Sequence, residues 1–261
     1  PALDTSDRPR YPVQAALYHP PGGVIRHDAV VWGYARGVEK HGGEVHPRTE
    51  VTAIDVKDHQ VTGVRTDKGD VIRADYVVNA TSGYCTTISR MVGVDLPVVT
   101  HPLQACVTEP LKPFLDKVVV SANLHVYVYQ TDRGELVMGS EIDPYSSYSQ
   151  GSTLETLESI AGHALELFPA LRNVRVLRQW GGLCDMTPDY SPILGEVDGL
   201  NGFVLDVGWG TYGFKAGPVS GKRVAELIAT KRTPEIIRPF RLSRFREDKL
   251  VSEKGAAAVS H

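Results

Sequence analysis

Residues 202–230 read GFVLDVGWGTYGFKAGPVSGKRVAELIAT, an apolar run, a glycine-rich turn and an amphipathic helix pattern. The turn spells G-x-G-x-x-G with Gly208, Gly210 and Gly213, the letters of a dinucleotide-binding fingerprint. A working fingerprint opens a βαβ unit, with a second strand following its helix and ending in an acidic residue for a ribose. Here the helix, expected over Ala216–Thr230, is followed by KRTPEIIRPFRL, where Pro234 and Pro239 oppose a central strand. The letters match a pyrophosphate cradle and the context does not. What survives is a strand-to-helix turn that presents backbone N–H groups and the positive end of a helix dipole. Lys215 sits in the first helical turn, where the dipole disfavours a cation. An anionic neighbour would account for it, as would plain solvation.

Around this turn the composition is that of an ordinary globular chain: 261 residues, 42% hydrophobic, 23% charged. The net charge of −3 offers no general attraction to nucleic acid or anionic membranes. Cys85, Cys106 and Cys184 are too few and too scattered for a disulfide framework or a zinc site. They point to a reducing, cytoplasmic setting, and no His/Cys metal cluster is visible. No apolar run reaches the roughly 18 residues of a membrane span. The opening PALDTSDRPRYPVQ lacks an initiator Met and reads as the interior of something longer, so a fragment or processed piece is expected.

Upstream, DAVVWGYARGVEKH (28–41) predicts a helix with Asp28 as N-cap and Gly42-Gly43 as its stop. Val- and Ile-rich runs from 44 to 81, broken by KDHQ and DKGD, predict a strand, a small meander and a strand returning to a sheet. SGYCTTISRMVG reads as a short helix. The runs between 98 and 142 predict a mostly antiparallel sheet. Over it lies a helix whose stripe is Leu154, Leu157, Ile160, Ala164 and Leu167, capped by Ser152 or Thr153. NVRVLRQW (173–180) predicts one more strand. His125, Tyr127 and Tyr129 alternate and are expected to share a face, lining a pocket or packing across strands. The tail 246–261, with GAAAVS, is expected to be loose.

GGVIRHDAVVWGYARG (22–37), YVVNATSGY (76–84), CDMTPDYSPILGEV (184–197) and GWGTYGFKAGPVSGKRVAELI (208–228) together carry a family resemblance. In this order and spacing the chain resembles the D-amino-acid-oxidase-like flavoproteins, in their branch of heterotetrameric sarcosine oxidase β subunits, along nearly its whole length. The resemblance implies an α/β (mixed α+β) chain corresponding to roughly the C-terminal two thirds of such a protein. Its FAD-binding domain, a three-layer β-β-α domain of the glutathione-reductase-like type without its N-terminal βαβ unit, would comprise 21–98 and 188–245. A mostly antiparallel substrate domain would comprise 1–20 and 99–187.

By the same resemblance, Val51 ends a strand whose backbone touches adenine, and Thr81, Ser82 and Gly83 form a loop closing over FAD. Gly210, Thr211, Tyr212, Gly213, Phe214 and Lys215 lie along the isoalloxazine. There the helix N-terminus favours negative charge on the reduced ring. Lys215 is implied to anchor the substrate carboxylate, with Tyr129 a second candidate. His27, by bland physics a histidine beside a helix start, is implied to carry a covalent FMN. Gly182 stands near the place of the cysteine that holds FAD covalently in monomeric relatives, which implies noncovalent FAD here. Val137 stands where those relatives have an oxygen-activating lysine, which implies that electrons pass from FAD to FMN and reduce oxygen there. The implied reaction is demethylation of sarcosine to glycine with H2O2 formed. Its implied partners are α, γ and δ subunits, the α subunit passing the formaldehyde unit to tetrahydrofolate. A dye-linked proline or dimethylglycine dehydrogenase subunit, or a non-catalytic assembly module, are the alternatives.

Overall fold

A computed structural model describes residues 12–251. Residues 1–11 of the expected substrate domain, and 252–261 of the expected loose tail with GAAAVS, lie outside the described residues. The chain begins with helix α1 (His27–Lys40), then strands β1 (Val51–Lys57), β2 (Gln60–Thr66) and β3 (Val71–Arg73), which form an antiparallel meander. Next come β4 (Val77–Asn79) and helix α2 (Cys85–Arg90), the latter entered through a 3-10 turn at Ser82–Tyr84. Strands β5 (Val99–Pro110), β6 (Val119–Ser121), β7 (Val126–Gln130) and β8 (Glu135–Ile142) precede helix α3 (Leu154–Leu167). After α3 the chain adds β9 (Val176–Met186), β10 (Ile193–Glu196), β11 (Phe203–Val207) and helix α4 (Gly213–Thr230). Two 3-10 segments, Glu235–Phe240 and Leu242–Phe245, follow where Pro234 and Pro239 argue against a strand.

The strands form three sheets. β1-β2-β3 is the meander, β6-β7-β8-β5-β9 is wholly antiparallel, and β10-β11-β4 pairs β11 with β4 in parallel. β11 is buried on both faces, which is why FVLDV is a near-continuous apolar run rather than an alternating one. Phe203, Leu205 and Val207 point into a core shared with Ile54 and Val61 of the meander, while Val204 meets Val224 and Leu227 of α4. The meander, the β10-β11-β4 sheet and α4 are thus stacked in that order.

The second core lies between α3 and the five-stranded sheet. Ile160, Ala164 and Leu167 pack on Val126, Val128, Leu136 and Met138. Thr153 caps α3 by accepting from the Thr156 amide. Leu154, which the expected stripe included, is two-thirds exposed. Six residues at 100° each place it about 120° off the line of Ile160, so the stripe starts later than the letters imply.

Three further boundaries move. α4 begins at Gly213, three residues earlier than the expected Ala216, and Lys215 is in its first turn as expected. β9 runs on to Met186 because its pairing with β5 continues as far as Met186 opposite Val99. At α1 the N-cap is Arg26 rather than Asp28, with no side-chain cap. Asp28 lies in the first turn, where the Ala29 amide and then Arg26 hold its carboxyl below the usual value.

The C-terminal segment is docked as far as Val251. Arg244 is fully buried and its guanidinium grips Asp189 with two bonds, Nε to Oδ2 at 2.8 Å and Nη2 to Oδ1 at 2.9 Å. The Val251 amide also donates to Asp189 Oδ2, and Ser191 Oγ donates to the Val251 carbonyl. Residues 246–251 of the expected loose tail are therefore part of the body. No helix among the described residues is long and apolar enough to cross a membrane.

Candidate functional site

The G-x-G turn sits where the ends of β9 and β11 meet. Gly208 and Gly210 adopt left-handed backbone, φ +74° and +56°. A Cβ on Gly208 would lie 2.6 Å from the Thr187 methyl, so both conformation and space demand glycine there. Successive amides in such a turn form an anion-binding concavity. Here it is filled from inside the protein. The buried carboxylate of Asp185 accepts the Gly208 amide at 2.6 Å, and the Asp185 carbonyl accepts the Gly210 amide at 3.1 Å. Burial pushes the Asp185 carboxyl above its ordinary value, and the amides of the turn pull partly the other way. The pyrophosphate reading of the letters thus fails on geometry as well as on context.

The helix that leaves the turn has no side-chain cap among the described residues. The first turn of α4 has no side-chain cap from Tyr212 and no acidic residue, and Lys215 lies in it. N–H groups with no side-chain cap, a positive dipole end and one ammonium favour an electron-rich or anionic group above them. That donor set fits the pyrimidine edge of a flavin. Trp209 holds the turn from the other side. Its indole N–H donates to Asp206 at 2.6 Å, its ring meets the Tyr212 ring edge-on, and a Cβ on Gly213 would collide with it at 2.6 Å. The Tyr212 hydroxyl donates to the Tyr190 carbonyl at 2.7 Å. Phe214 is about half exposed.

Of Thr81, Ser82 and Gly83, Ser82 is tied to this turn through Asp185, whose Oδ1 is 3.4 Å from Ser82 Oγ. Thr81 donates to Asn79, which bonds Ser89 and the Cys85 carbonyl. Gly83 packs so closely that a Cβ would lie 2.5 Å from that of Leu183. Val51, at the start of β1, packs against the core that contains Leu205 and Val207. No hydrogen bond among the described residues joins it to the loops.

Tyr129 lies on β7 opposite Val137 and faces away from α3, stacked on Tyr127 at 6.5 Å. Gly182 of β9 shares that face through Leu103, and the space for a Cβ on it is open. Burial raises both tyrosines, Tyr127 to about 12. His125 lies just before β7 with a left-handed φ of +49°, outside the strand whose alternation Tyr127 and Tyr129 follow. His27 is the first residue of α1, exposed, and no hydrogen bond among the described residues links it to the loops.

A cleft of about 470 Å³ opens beside the turn, lined by Val99, His101, Glu141, Met186 and Tyr190 among others. Met186, Thr187 and Tyr190 also line a narrower cleft with Gly208, Gly210 and Tyr212, so the two adjoin. His101 Nδ1 donates to the Asp143 carbonyl at 3.0 Å, and Nε2 is the ring's other nitrogen. His101, Asp185 and the Asp189–Arg244 pair escaped the sequence reading. Asp185 stood in plain view in CDMTPDY, but only the pairing of β9 with β5 shows where it lies. All three cysteines are free and buried; burial pushes the Cys85 and Cys184 thiols up to about 12 and Cys106 to about 11.

A glycine turn plugged by an internal carboxylate, followed by an uncapped helix, is the local geometry; the family profile described as DAO, FAD dependent oxidoreductase, matches residues 2–227. The chain belongs to that FAD-dependent oxidoreductase family. It is 43% identical to sarcosine oxidase subunit beta of Rhizobium meliloti (strain 1021), over 97% of this chain and 60% of that protein. It is 40% identical to sarcosine oxidase subunit beta of Arthrobacter sp, over 100% of this chain and 64% of that protein. The resemblance read from the sequence is borne out, and the chain spans 60–64% of the length of these curated relatives. The solved L-proline dehydrogenase from P. horikoshii superposes with a TM-score of 0.80 at 29% identity, covering 85% of this chain and 60% of that one. Glycine oxidase from Bacillus cereus ATCC 14579 shares the fold, with a TM-score of 0.71 at 22% identity. The mixed α/β fold with antiparallel sheets is that of this family.

Proposed function

We propose that the chain is the flavin- and substrate-facing portion of an amine oxidoreductase of the sarcosine oxidase β type, with noncovalent FAD, acting on sarcosine or a similar secondary amino acid. The observation that carries this is the open N-terminus of α4, with Lys215 in its first turn and the 81–83 loop held against the preceding glycines. When bound, FAD supplies the two-electron acceptor for the amine. The protein's part is placement and electrostatics. The Lys215 ammonium anchors a substrate carboxylate, and the α4 amides favour negative charge at the ring edge. The Tyr127–Tyr129 face of the five-stranded sheet walls the substrate side.

In this reading the domains are 21–98 with 188–245 for flavin and 1–20 with 99–187 for substrate. The division of the strands supports it, since all of β5–β9 form one sheet. FMN carried by His27, the α, γ and δ partners and formaldehyde transfer to tetrahydrofolate belong to the same proposal. The proline dehydrogenase superposition keeps a second substrate in view.

The test uses the full-length protein assembled with its partners. Lys215→Met is expected to lower kcat/KM for sarcosine about tenfold or more, chiefly through KM, with the flavin spectrum retained. An unchanged KM removes Lys215 from the site, and oxidation of proline but not sarcosine replaces the substrate. Denatured wild type retaining yellow fluorescence that His27→Ala loses supports the FMN assignment; no retained flavin in wild type ends it.

A further inference from the structure

The last rungs of the substrate sheet hold two loops that are more than a hundred residues apart in sequence. Asp185 of β9 pairs across the ladder with Thr100 of β5, and both are buried. Thr100 Oγ donates to the Gly83 carbonyl at 2.7 Å, and Asp185 Oδ1 faces Ser82 Oγ at 3.4 Å, so the pair holds the two central residues of one tight turn. The other carboxylate oxygen, Oδ2, takes the Gly208 amide at 2.6 Å, and the Asp185 carbonyl takes that of Gly210. Each gripped segment has backbone that does not hold itself: Ser82 has φ +46°, Gly208 +74° and Gly210 +56°.

We infer that Asp185 is the internal counter-anion of the Gly208–Gly210 turn and the positioning residue that sets the open end of α4 against the Ser82 loop. The inference rests on the flavin reading above, because these are the two segments proposed to flank the ring. A carboxylate suits the place because it has two acceptor oxygens for donors arriving from opposite sides. Asparagine keeps both links in altered form: its oxygen still accepts from Gly208, and its amide donates to Ser82 Oγ, which accepts. Alanine keeps neither and leaves the buried Gly208 amide without a partner.

The experiment compares wild type, Asp185→Ala and Asp185→Asn in the full-length protein with its partners. Leu136→Ala, in the separate core under α3, serves as a control for general destabilisation. Hydrogen exchange of the Gly208 and Gly210 amides, FAD affinity and the visible flavin band are read. In Asp185→Ala both exchange and the FAD dissociation constant are expected to rise about tenfold, the scale of one lost charge-assisted bond, and the band to shift. In Asp185→Asn both stay within about threefold of wild type, and Leu136→Ala leaves the band in place. Unchanged exchange and FAD affinity in Asp185→Ala overturn the inference alone. So does a Leu136→Ala protein that reproduces the flavin changes at the same loss of Tm. A wild type that binds no FAD overturns the flavin reading and the inference with it.

Discussion

The glycine turn after β11 and the helix α1 both carry residues proposed above to meet flavin, yet they are built in opposite ways. The turn is fastened from three sides, by Asp185, by Trp209 on Asp206, and by Tyr212 on Tyr190. Behind it, the Asp189–Arg244 pair ties the 187–191 segment to the C-terminal stretch. α1 has no buried residue at all; Val31, Trp32, Tyr34 and Val38 are each about half exposed or more. The same apolar letters therefore carry different energetic weight in the two places. The α4 face of the candidate site is set within these residues, whereas His27 sits on a helix to which the described residues contribute no core.

The largest effect is expected at the fastened region. Arg244→Met leaves Asp189 buried without its cation and should cost about 3–5 kcal/mol in denaturant unfolding. Asp189→Leu combined with Arg244→Met should recover most of that loss, because no charge is then stranded. A cost under about 1 kcal/mol for the single change would mean the C-terminal stretch does not brace the turn.

A smaller effect is expected from acid. Burial pushes the Asp189 carboxyl up, but the Arg244 bonds and the Val251 and Ser191 amides outweigh it and hold the group below its ordinary value. A depressed carboxyl contributes stability above its unfolded value, about pH 4, and loses it as pH falls through the folded one. Asp189→Asn should thus be least stable relative to wild type near neutrality, with the gap in Tm closing below about pH 4. A gap that stays constant across that range would show that the pair is not what Asp189 contributes.

The smallest effect is expected on α1. Trp32→Ser in this chain should change unfolding free energy by less than about 0.5 kcal/mol, as for a surface position. A loss of 2 kcal/mol or more, the scale of a buried aromatic, would erase the contrast between the regions.

Much of the fold was legible because burial leaves periodic marks. The α3 stripe from Leu157 onward, the antiparallel block from 98 to 142 and the apolar run of β11 read correctly. Two of the misreadings share a cause. The end of β9 and the exposure of Leu154 depended on what packs opposite, which is not local, and the expected Asp28 cap lies two residues inside the helix start at Arg26. The candidate site was half legible. The segments 81–83 and 210–215 were named on a resemblance, and their joining through Asp185 had no signal, since Ser82, Asp185 and Gly208 are far apart in the chain.

By itself the amino-acid sequence determined that a strand, a tight turn and a helix follow one another at 203–230, because glycine tolerance and hydrophobic period are properties of neighbouring residues. It also determined the family, through ordered motifs along almost the whole chain. Only the tertiary structure decided what occupies the turn. A nest of amides accepts whichever anion the fold brings nearest. Here the ladder between β5 and β9 brings a carboxylate of the protein itself, and the helix beyond it starts without a side-chain cap.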